Sequence, residues 1–153
     1  MYQHILVPLD GSALAECVLP HMAAIAGGCG VPQVTLLRVV QLKLVRGNEY
    51  SFSEADLKRI EAAGIAAARE YLGQLVSRLD HKDVKTEVVA YMGDVADSIT
   101  DYAKKHNVDL VIIATHGRSG ISRWVWGSVA DRLLRSCHVP VLMVRAPGCV
   151  PGI

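Results

Sequence analysis

Short apolar runs recur along the chain and predict five β-strands, at residues 5–9, 34–40, 84–88, 110–113 and 139–144. Four of these runs are apolar almost throughout, which is typical of strands that are covered on both faces. The run 84–88 instead alternates apolar and polar residues, as expected of a strand at the edge of a sheet. The pattern therefore predicts a sheet with a buried centre and with its third strand at one edge.

The segments between these runs have helical spacing and predict four helices. The buried face of the first ends at Gly27–Gly28, and its apolar positions recur every three or four residues: Leu14, Val18, Met22 and Ile25. The second and longest begins at the capping-box pattern of Ser53 and Asp56, and its buried stripe is predicted at Leu57, Ile60, Gly64, Ala68, Leu72, Leu75 and Leu79. Gly93–Asp94 cap the third helix, and Ser128 opens the fourth.

This alternation of strands and helices, βαβαβαβαβ, predicts an α/β fold: a parallel sheet with helices on both faces and right-handed crossovers. At 153 residues the chain has the length of one domain, 1–153, in which residues 146–153 form a short C-terminal tail. Ligands of such sheets bind at the carboxyl ends of the strands, where the strand order reverses. The loops that follow the strands are therefore the candidate sites for chemistry.

Composition narrows the class of protein. Hydrophobic residues make up 51% and charged residues 20% of the chain, as in a folded globular protein. The net charge of +1 argues against a broad nucleic-acid or anionic-membrane surface, since such surfaces concentrate lysine and arginine. No apolar run approaches the ~20 residues of a membrane span, so we expect a soluble, cytoplasmic protein. The four cysteines lie far apart and lack the spacing of a zinc site.

The most distinctive loop follows the fourth strand. It runs from Ala114 through Gly117 and Gly120, and it reaches a helix start at Gly127–Ser128. Glycine lets backbone N–H groups approach an anion without a Cβ in the way, and the first turn of a helix presents unpaired N–H donors. A strand, a glycine-bearing loop and a helix N-terminus in series predict a phosphate site that is built from backbone groups.

A second candidate segment, Pro8-Leu9-Asp10-Gly11-Ser12, follows the first strand. If strands one and four are neighbours, Asp10 faces the glycine loop across one cleft. Its carboxylate could accept hydrogen bonds from a ribose or ligate a metal, and the alternative is that it caps the first helix. Structural alternatives also exist in the glycine loop: Gly117 could simply turn the chain, and Arg118 could either contact phosphate or lie in solvent.

Three segments together resemble the nucleotide-binding branch of the universal stress protein family. That branch has the pattern G-x2-G-x9-G-[ST], which corresponds here to Ala114, Gly117 and Gly127–Ser128, with alanine in place of the first glycine. The N-terminal segment 5–12 and the C-terminal segment 137–144 also resemble the ends of that family. The resemblance covers nearly the whole chain.

This resemblance implies a Rossmann-like, five-stranded parallel sheet of order 3-2-1-4-5 and a homodimer that pairs through strand 139–145. It also implies ATP, or else ADP or AMP, between strands one and four, where Mg²⁺ or Mn²⁺ could accompany the phosphates. Carried over by position, the implied nucleotide-binding residues are Pro8, Asp10, Val39, Ile113, Ala114, Gly117, Arg118, Gly127, Ser128 and Val129.

No catalytic residue can be named from the sequence. The chain lacks the G-x-x-x-x-G-K-[ST] loop that places a lysine on the terminal phosphates, and no positioned nucleophile is evident beside the glycine loop. An ATP-binding sensor or regulator of the stress response is therefore favoured. Two alternatives stay open: a slow, metal-dependent ATP hydrolase, and a scaffold dimer that binds no nucleotide, which alanine at position 114 would favour.

Overall fold

A computed structural model describes residues 1–41, 53–79, 84–91, 94–115 and 128–145. Within these ranges the chain forms five strands: β1 (His4–Pro8), β2 (Gln33–Gln41), β3 (Val84–Tyr91), β4 (Leu110–Thr115) and β5 (Val141–Arg145). The same ranges contain four α-helices: α1 (Leu19–Cys29), α2 (Glu54–Arg78), α3 (Val95–Lys105) and α4 (Ser128–Ser136). A short 3₁₀-helix, Ala15–Val18, leads into α1.

All five strands pair in parallel, in the order β3-β2-β1-β4-β5. The register places Pro8 of β1 beside Leu37 of β2, and Leu6 of β1 beside Val111 of β4. The strand order reverses at β1, because the chain adds β2 and β3 on one side and β4 and β5 on the other. The α/β class, the strand order that the resemblance implies and the edge position of β3 are thereby confirmed.

Alternate residues of β1 point into two separate hydrophobic cores. Ile5 and Val7 pack on the face covered by α1 and α2, and Leu6 packs on the face covered by α3 and α4. All three side chains are fully buried. The helices contribute Met22, Leu72 and Leu75 to the first core and Ile99, Ala103 and Leu133 to the second. The prediction of helices on both faces is therefore confirmed.

The first helix differs from its prediction at its end. α1 continues through Gly27–Gly28 to Cys29, and it ends where Gly30 adopts a left-handed φ of 61°. A glycine inside a helix costs only about 1 kcal/mol relative to alanine. Two glycines therefore do not stop a helix that buries Met22, and the left-handed residue that closes it comes later.

The capping box predicted for α2 is confirmed. Ser53 Oγ accepts a hydrogen bond from the Asp56 N–H at 3.1 Å, and Asp56 Oδ2 accepts one from the Ser53 N–H at 3.2 Å. The predicted buried stripe is wrong at Ile60, of which 54% is exposed. Helix and sheet approach closely one turn later, at Gly64, where a Cβ would lie 3.1 Å from Val40 Cγ1. Ile60 precedes this contact and stays in solvent.

Candidate functional site

A cleft of about 280 Å³ opens at the carboxyl ends of β1, β2 and β4, where the strand order reverses. This is the position at which open parallel sheets bind their ligands. Strand ends and the following loop supply one part of its lining: Pro8, Leu9, Asp10, Ala15, Leu37, Arg38, Val39, Ile113 and Ala114. The first turns of two helices supply the rest: Val95 and Ile99 from α3, and Ser128, Val129 and Ala130 from α4.

The structure brings most of the predicted nucleotide-binding residues together in this cleft. Those that line it are Pro8, Asp10, Val39, Ile113, Ala114, Ser128 and Val129. Gly117, Arg118 and Gly127 lie outside the described residues, so their roles stay predictions. The cleft is also lined by residues that are not among the predicted nucleotide-binding residues, although Leu9 lies in the candidate segment 8–12: Leu9, Ala15, Leu37, Arg38, Val95, Ile99 and Ala130.

Asp10 lies exposed at the mouth of the cleft and organises the turn that follows β1. Its Oδ1 accepts hydrogen bonds from the Ser12 N–H at 2.9 Å and from Ser12 Oγ at 2.6 Å. Ser12 Oγ in turn accepts from the Ala15 N–H at 3.1 Å, at the start of the 3₁₀-helix. Asp10 therefore supports the helix start through Ser12, while its carboxylate stays at the mouth of the cleft.

The backbone of Val39 faces the edge of β2 that β1 leaves open. The ladder between the two strands ends at the pair Pro8 and Leu37, and the last bond runs from the Leu9 N–H to the Leu37 carbonyl at 2.9 Å. Along a strand, the N–H and C=O of alternate residues point to the same edge. The N–H and C=O of Val39 therefore point to the same edge as the Leu37 carbonyl, at a level where β1 has already ended.

A hydrogen bond from the Arg38 side chain replaces the next backbone hydrogen bond of the ladder. In a continued parallel ladder, the Leu9 carbonyl would accept from the Val39 N–H. Instead, Arg38 Nη1 donates to that carbonyl at 3.2 Å. The guanidinium also lies against Gly11, which has a φ of 83°, and a Cβ at Gly11 would lie 3.3 Å from Arg38 Nη2. The sequence signal was present, as a single charged residue inside an apolar strand.

The helical wall of the cleft is held by one arginine. Asp94 caps α3 by accepting from the Ala96 N–H at 2.8 Å, as predicted. Arg132 of α4 donates to Asp94 Oδ2 at 3.0 Å and to Asp97 Oδ2 at 2.9 Å. The first turns of α3 and α4 are thereby fixed to each other, and their positive dipole ends both lie at the cleft.

Tyr71 of α2 packs against the first core, behind the turn that Asp10 organises. Burial raises the pKa of the Tyr71 hydroxyl to about 12, and the Glu16 carboxylate makes the second largest contribution in the same direction. The charges of Arg38 and Asp10 also act on this pKa, Arg38 lowering it and Asp10 raising it. The phenol therefore keeps its proton at neutral pH and contributes no base to the cleft.

The described residues show neither a metal cluster nor a membrane-spanning helix. The described part of the chain holds no cluster of three or more histidine, cysteine, aspartate or glutamate side chains that could bind a metal. None of the described helices is long and apolar enough to cross a membrane. Among the described residues, the lining of the cleft offers an apolar slot, an open strand edge, one carboxylate, one guanidinium and two helix N-termini.

Comparison with known proteins adds the family. A model of the universal stress protein family matches residues 1–145. The chain belongs to this family. It is 28% identical over 147 residues to universal stress protein MJ0531 of Methanocaldococcus jannaschii, covering 96% of this chain and 84% of that protein. It is also 31% identical over 153 residues to universal stress protein G of Escherichia coli O157:H7, covering 95% of this chain and 100% of the relative.

Solved structures of universal stress proteins share the fold. UspA from Lactobacillus plantarum superposes with a TM-score of 0.73 at 26% identity, over 94% of this chain and 98% of that one. Two more distant structures contain ligands. One universal stress protein is in complex with cAMP, with a TM-score of 0.66 at 20% identity over 95% and 98% of the two chains. A family protein from Arabidopsis thaliana has AMP bound, with a TM-score of 0.58 at 14% identity over 95% and 93%.

Proposed function

We propose that this universal stress protein binds an adenine nucleotide, ATP or else ADP or AMP, in the cleft at the carboxyl ends of β1 and β4. The observation that carries the proposal is the open edge of β2 at Val39, which presents an N–H and a C=O inside an apolar slot. An adenine ring has an apolar face and an edge with both a donor and an acceptor, so it matches this arrangement. The AMP and cAMP complexes of distant family members support the choice of base.

The proposed positions of the ribose and the phosphates follow from the direction in which the cleft runs. The adenosine lies beside Pro8 and Asp10, with its ribose over Ile113 and Ala114. The phosphates lie at the start of α4, where Ser128 and Val129 line the cleft and the helix presents unpaired N–H groups. Gly117, Arg118 and Gly127, which lie outside the described residues, complete the phosphate site in this proposal.

Mg²⁺ or Mn²⁺ fits the proposed site only as a companion of the phosphates. Asp10 is the one carboxylate among the described residues that line the cleft, and its Oδ1 already accepts two hydrogen bonds from Ser12. A divalent ion would therefore take most of its ligands from phosphate oxygens and water, as Mg²⁺ often does in nucleotide sites. We propose a binding protein, with slow hydrolysis of ATP as the alternative.

We further propose that the protein acts in the cytoplasm as a homodimeric sensor or regulator of the stress response. β5 lies at an edge of the sheet, and its side chains Val141, Leu142 and Met143 are only partly buried. A second copy paired along β5 would cover this edge, and two-fold symmetry is the simplest way to do so. Sedimentation of the protein at micromolar concentration should give a dimer, and replacing the partly buried Leu142 with Lys should give monomer or aggregate. A clean monomer of the unchanged protein would exclude the dimer.

The binding proposal is tested by what the protein carries and what it takes up. Freshly purified protein is denatured, the released nucleotide is identified, and emptied protein is titrated with ATP, ADP, AMP and, as the control base, GTP. We expect an adenine nucleotide in the released fraction and binding of at least one adenine nucleotide with little binding of GTP. Absence of bound nucleotide together with no titration signal for any adenine nucleotide would refute the proposal.

A further inference from the structure

We propose that Arg38 is a positioning residue for nucleotide binding: its guanidinium occupies the Leu9 carbonyl and so leaves the Val39 N–H to the ligand. This inference rests on the proposed function, because it explains how the adenine-binding edge stays open. It concerns a side chain that neither the motif nor the resemblance singles out.

The parallel ladder lacks one backbone hydrogen bond where β1 ends. The ladder between β1 and β2 stops at Pro8 and Leu37, one rung before the Val39 N–H would bond to the Leu9 carbonyl. Leu9 is only 4% exposed, so its carbonyl has little access to water. A buried carbonyl without a donor costs about 1–3 kcal/mol. Some donor must therefore satisfy it, and without a substitute the nearest backbone donor in register is the Val39 N–H.

The Arg38 side chain supplies the substitute donor. Arg38 precedes Val39 in β2, and its Nη1 donates to the Leu9 carbonyl at 3.2 Å. The bond is charge-assisted, so it satisfies the carbonyl at least as well as a backbone N–H. In a strand, the backbone N–H and C=O of a residue point to one edge of the strand, and its side chain points to one face of the sheet. The Arg38 side chain can therefore bond to the Leu9 carbonyl while the backbone of Val39 stays directed at the cleft.

Gly11 lies beside the Arg38 guanidinium. Gly11 has a φ of 83°, which favours glycine, and a Cβ there would lie 3.3 to 3.4 Å from three guanidinium atoms of Arg38. The turn that carries Asp10 is therefore shaped around this side chain. By holding the Leu9 carbonyl and lying against Gly11, Arg38 fixes both the open strand edge and the loop that presents the carboxylate.

The test compares Arg38→Met, which keeps the length of the side chain but removes its donors, with the parent protein. The matched control is Arg78→Met, since Arg78 pairs with Glu16 at 3.4 Å and does not line the cleft. Each protein is titrated with ATP and with adenosine, which has no phosphates. We expect Arg38→Met to weaken both ligands by the same factor, about tenfold or more, and Arg78→Met to bind as the parent does. Arg38→Lys, which keeps a charged donor nitrogen near the end of the side chain, should recover most of the lost affinity.

Amide hydrogen exchange of the free protein supplies a readout that does not depend on any ligand. In the parent, the Val39 amide should exchange readily. In Arg38→Met it should exchange several-fold more slowly, because the Leu9 carbonyl then takes the Val39 N–H and the ladder gains a rung. A purely structural role for Arg38 would instead leave this amide unchanged or make it exchange faster.

Each outcome decides one claim. Unchanged affinity in Arg38→Met, or a loss for ATP without a loss for adenosine, overturns the proposal, the second because it would make Arg38 a phosphate ligand. A parent protein that binds neither ligand refutes the proposed function, and the Val39 exchange rate then still decides whether Arg38 keeps this edge open. If Arg38→Met does not fold, hydrogen exchange in the parent protein decides the claim: a Val39 amide that exchanges as slowly as a hydrogen-bonded amide of β2 would show a closed edge and overturn the proposal.

Discussion

The two ends of the central strands differ in how their polar groups are used. At the carboxyl end, β1 stops early, the edge of β2 stays open at Val39, and Asp10 is exposed at the mouth of a cleft. At the amino end, a cluster of side chains fills the space between β1, β2 and β4. One end of the same sheet is thus left open, and the other is closed.

His4 is the centre of the closed end and is 5% exposed. Its Nδ1 lies 3.1 Å from the His106 carbonyl, and because a carbonyl can only accept, Nδ1 carries the proton. Its Nε2 then accepts, with Thr35 Oγ1 at 2.9 Å and Gln33 Nε2 at 3.0 Å. The Asp109 carboxylate accepts from the His4 N–H at 3.1 Å. Every polar atom of the His4 ring has a partner within the protein.

The polar groups at the two ends of the sheet meet opposite requirements. Buried polar groups stabilise a fold only when their hydrogen bonds are complete, as they are around His4. A binding site requires the opposite, backbone groups that are positioned but still available, as on the open edge at Val39. Changes at the carboxyl end should therefore affect binding with little effect on stability, and changes at the amino end should do the reverse.

The largest effect is expected for Gly127→Val. The proposed phosphate contacts come from backbone N–H groups at the start of α4, and a branched side chain there blocks their approach. Several charge-assisted hydrogen bonds are lost together, so the affinity for ATP should fall by about 4 kcal/mol or more, measured by isothermal titration. Gly73→Val is the matched control, because a Cβ at Gly73 meets no atom within 4 Å. Equal affinity in Gly127→Val and the parent would contradict the phosphate site.

His4→Ala should have the next largest effect, on stability and not on binding. It leaves the buried Thr35 hydroxyl without its imidazole partner, removes the hydrogen bond to the His106 carbonyl and empties a buried position, which together cost about 2–3 kcal/mol in the free energy of unfolding. Urea unfolding measures this loss, and His21→Ala, at an exposed position of α1, is the control. ATP affinity should stay unchanged. A binding defect as large as the stability defect would show that the two ends are not independent.

Asp10→Ala should weaken binding moderately. The carboxylate at the mouth of the cleft accepts hydrogen bonds from the ribose in the proposed site, and the loss of such a bond costs about 1–3 kcal/mol. Titration with ATP measures it, with Asp101→Ala on the exposed face of α3 as the control.

ATP turnover in the parent should stay far below the roughly 1–100 per second of kinases. Turnover in that range would mean that the protein is an enzyme and not a binding protein.

The smallest effect concerns the pH dependence of stability. Burial lowers the pKa of His4 below its ordinary value of 6.5, so the unfolded chain takes up this proton more readily than the folded protein. The contribution of His4 to stability is therefore present above pH 6.5 and is lost as the pH falls toward the lowered pKa. His4→Gln cannot titrate, so its free energy of unfolding should fall less than that of the parent between pH 7.5 and 5.5. Parallel pH profiles for the two proteins would contradict this account.

The arrangement of elements could be predicted from the sequence because hydrophobic periodicity is local. The apolar runs and the capping signals at Ser53 and Asp94 identified strands and helix starts that the structure confirms. The predicted end of α1 is too early, because glycine alone does not stop a helix; the left-handed φ of Gly30 closes it.

The candidate site could be predicted only in part. Pro8 and Asp10 follow a strand visibly in the sequence, and the glycine loop has a pattern of its own. Ile99 and Ala130 have no such signal, because apolar residues at helical spacing look the same whether they fill a core or line a cleft. The role of Arg38 depends on where β1 ends relative to β2, which is a property of the strand register and not of the neighbouring residues in sequence.

The central claim, that the carboxyl end binds an adenine nucleotide while the amino end is structural, is tested most directly by amide hydrogen exchange with and without ATP. We predict slower exchange on addition of ATP at Val39, in the turn 9–12 and in the first turn of α4, with no change at 3–4, 33–35 and 106–109. No change at Val39 and α4 at saturating ATP, or protection centred on the His4 cluster, would contradict the account.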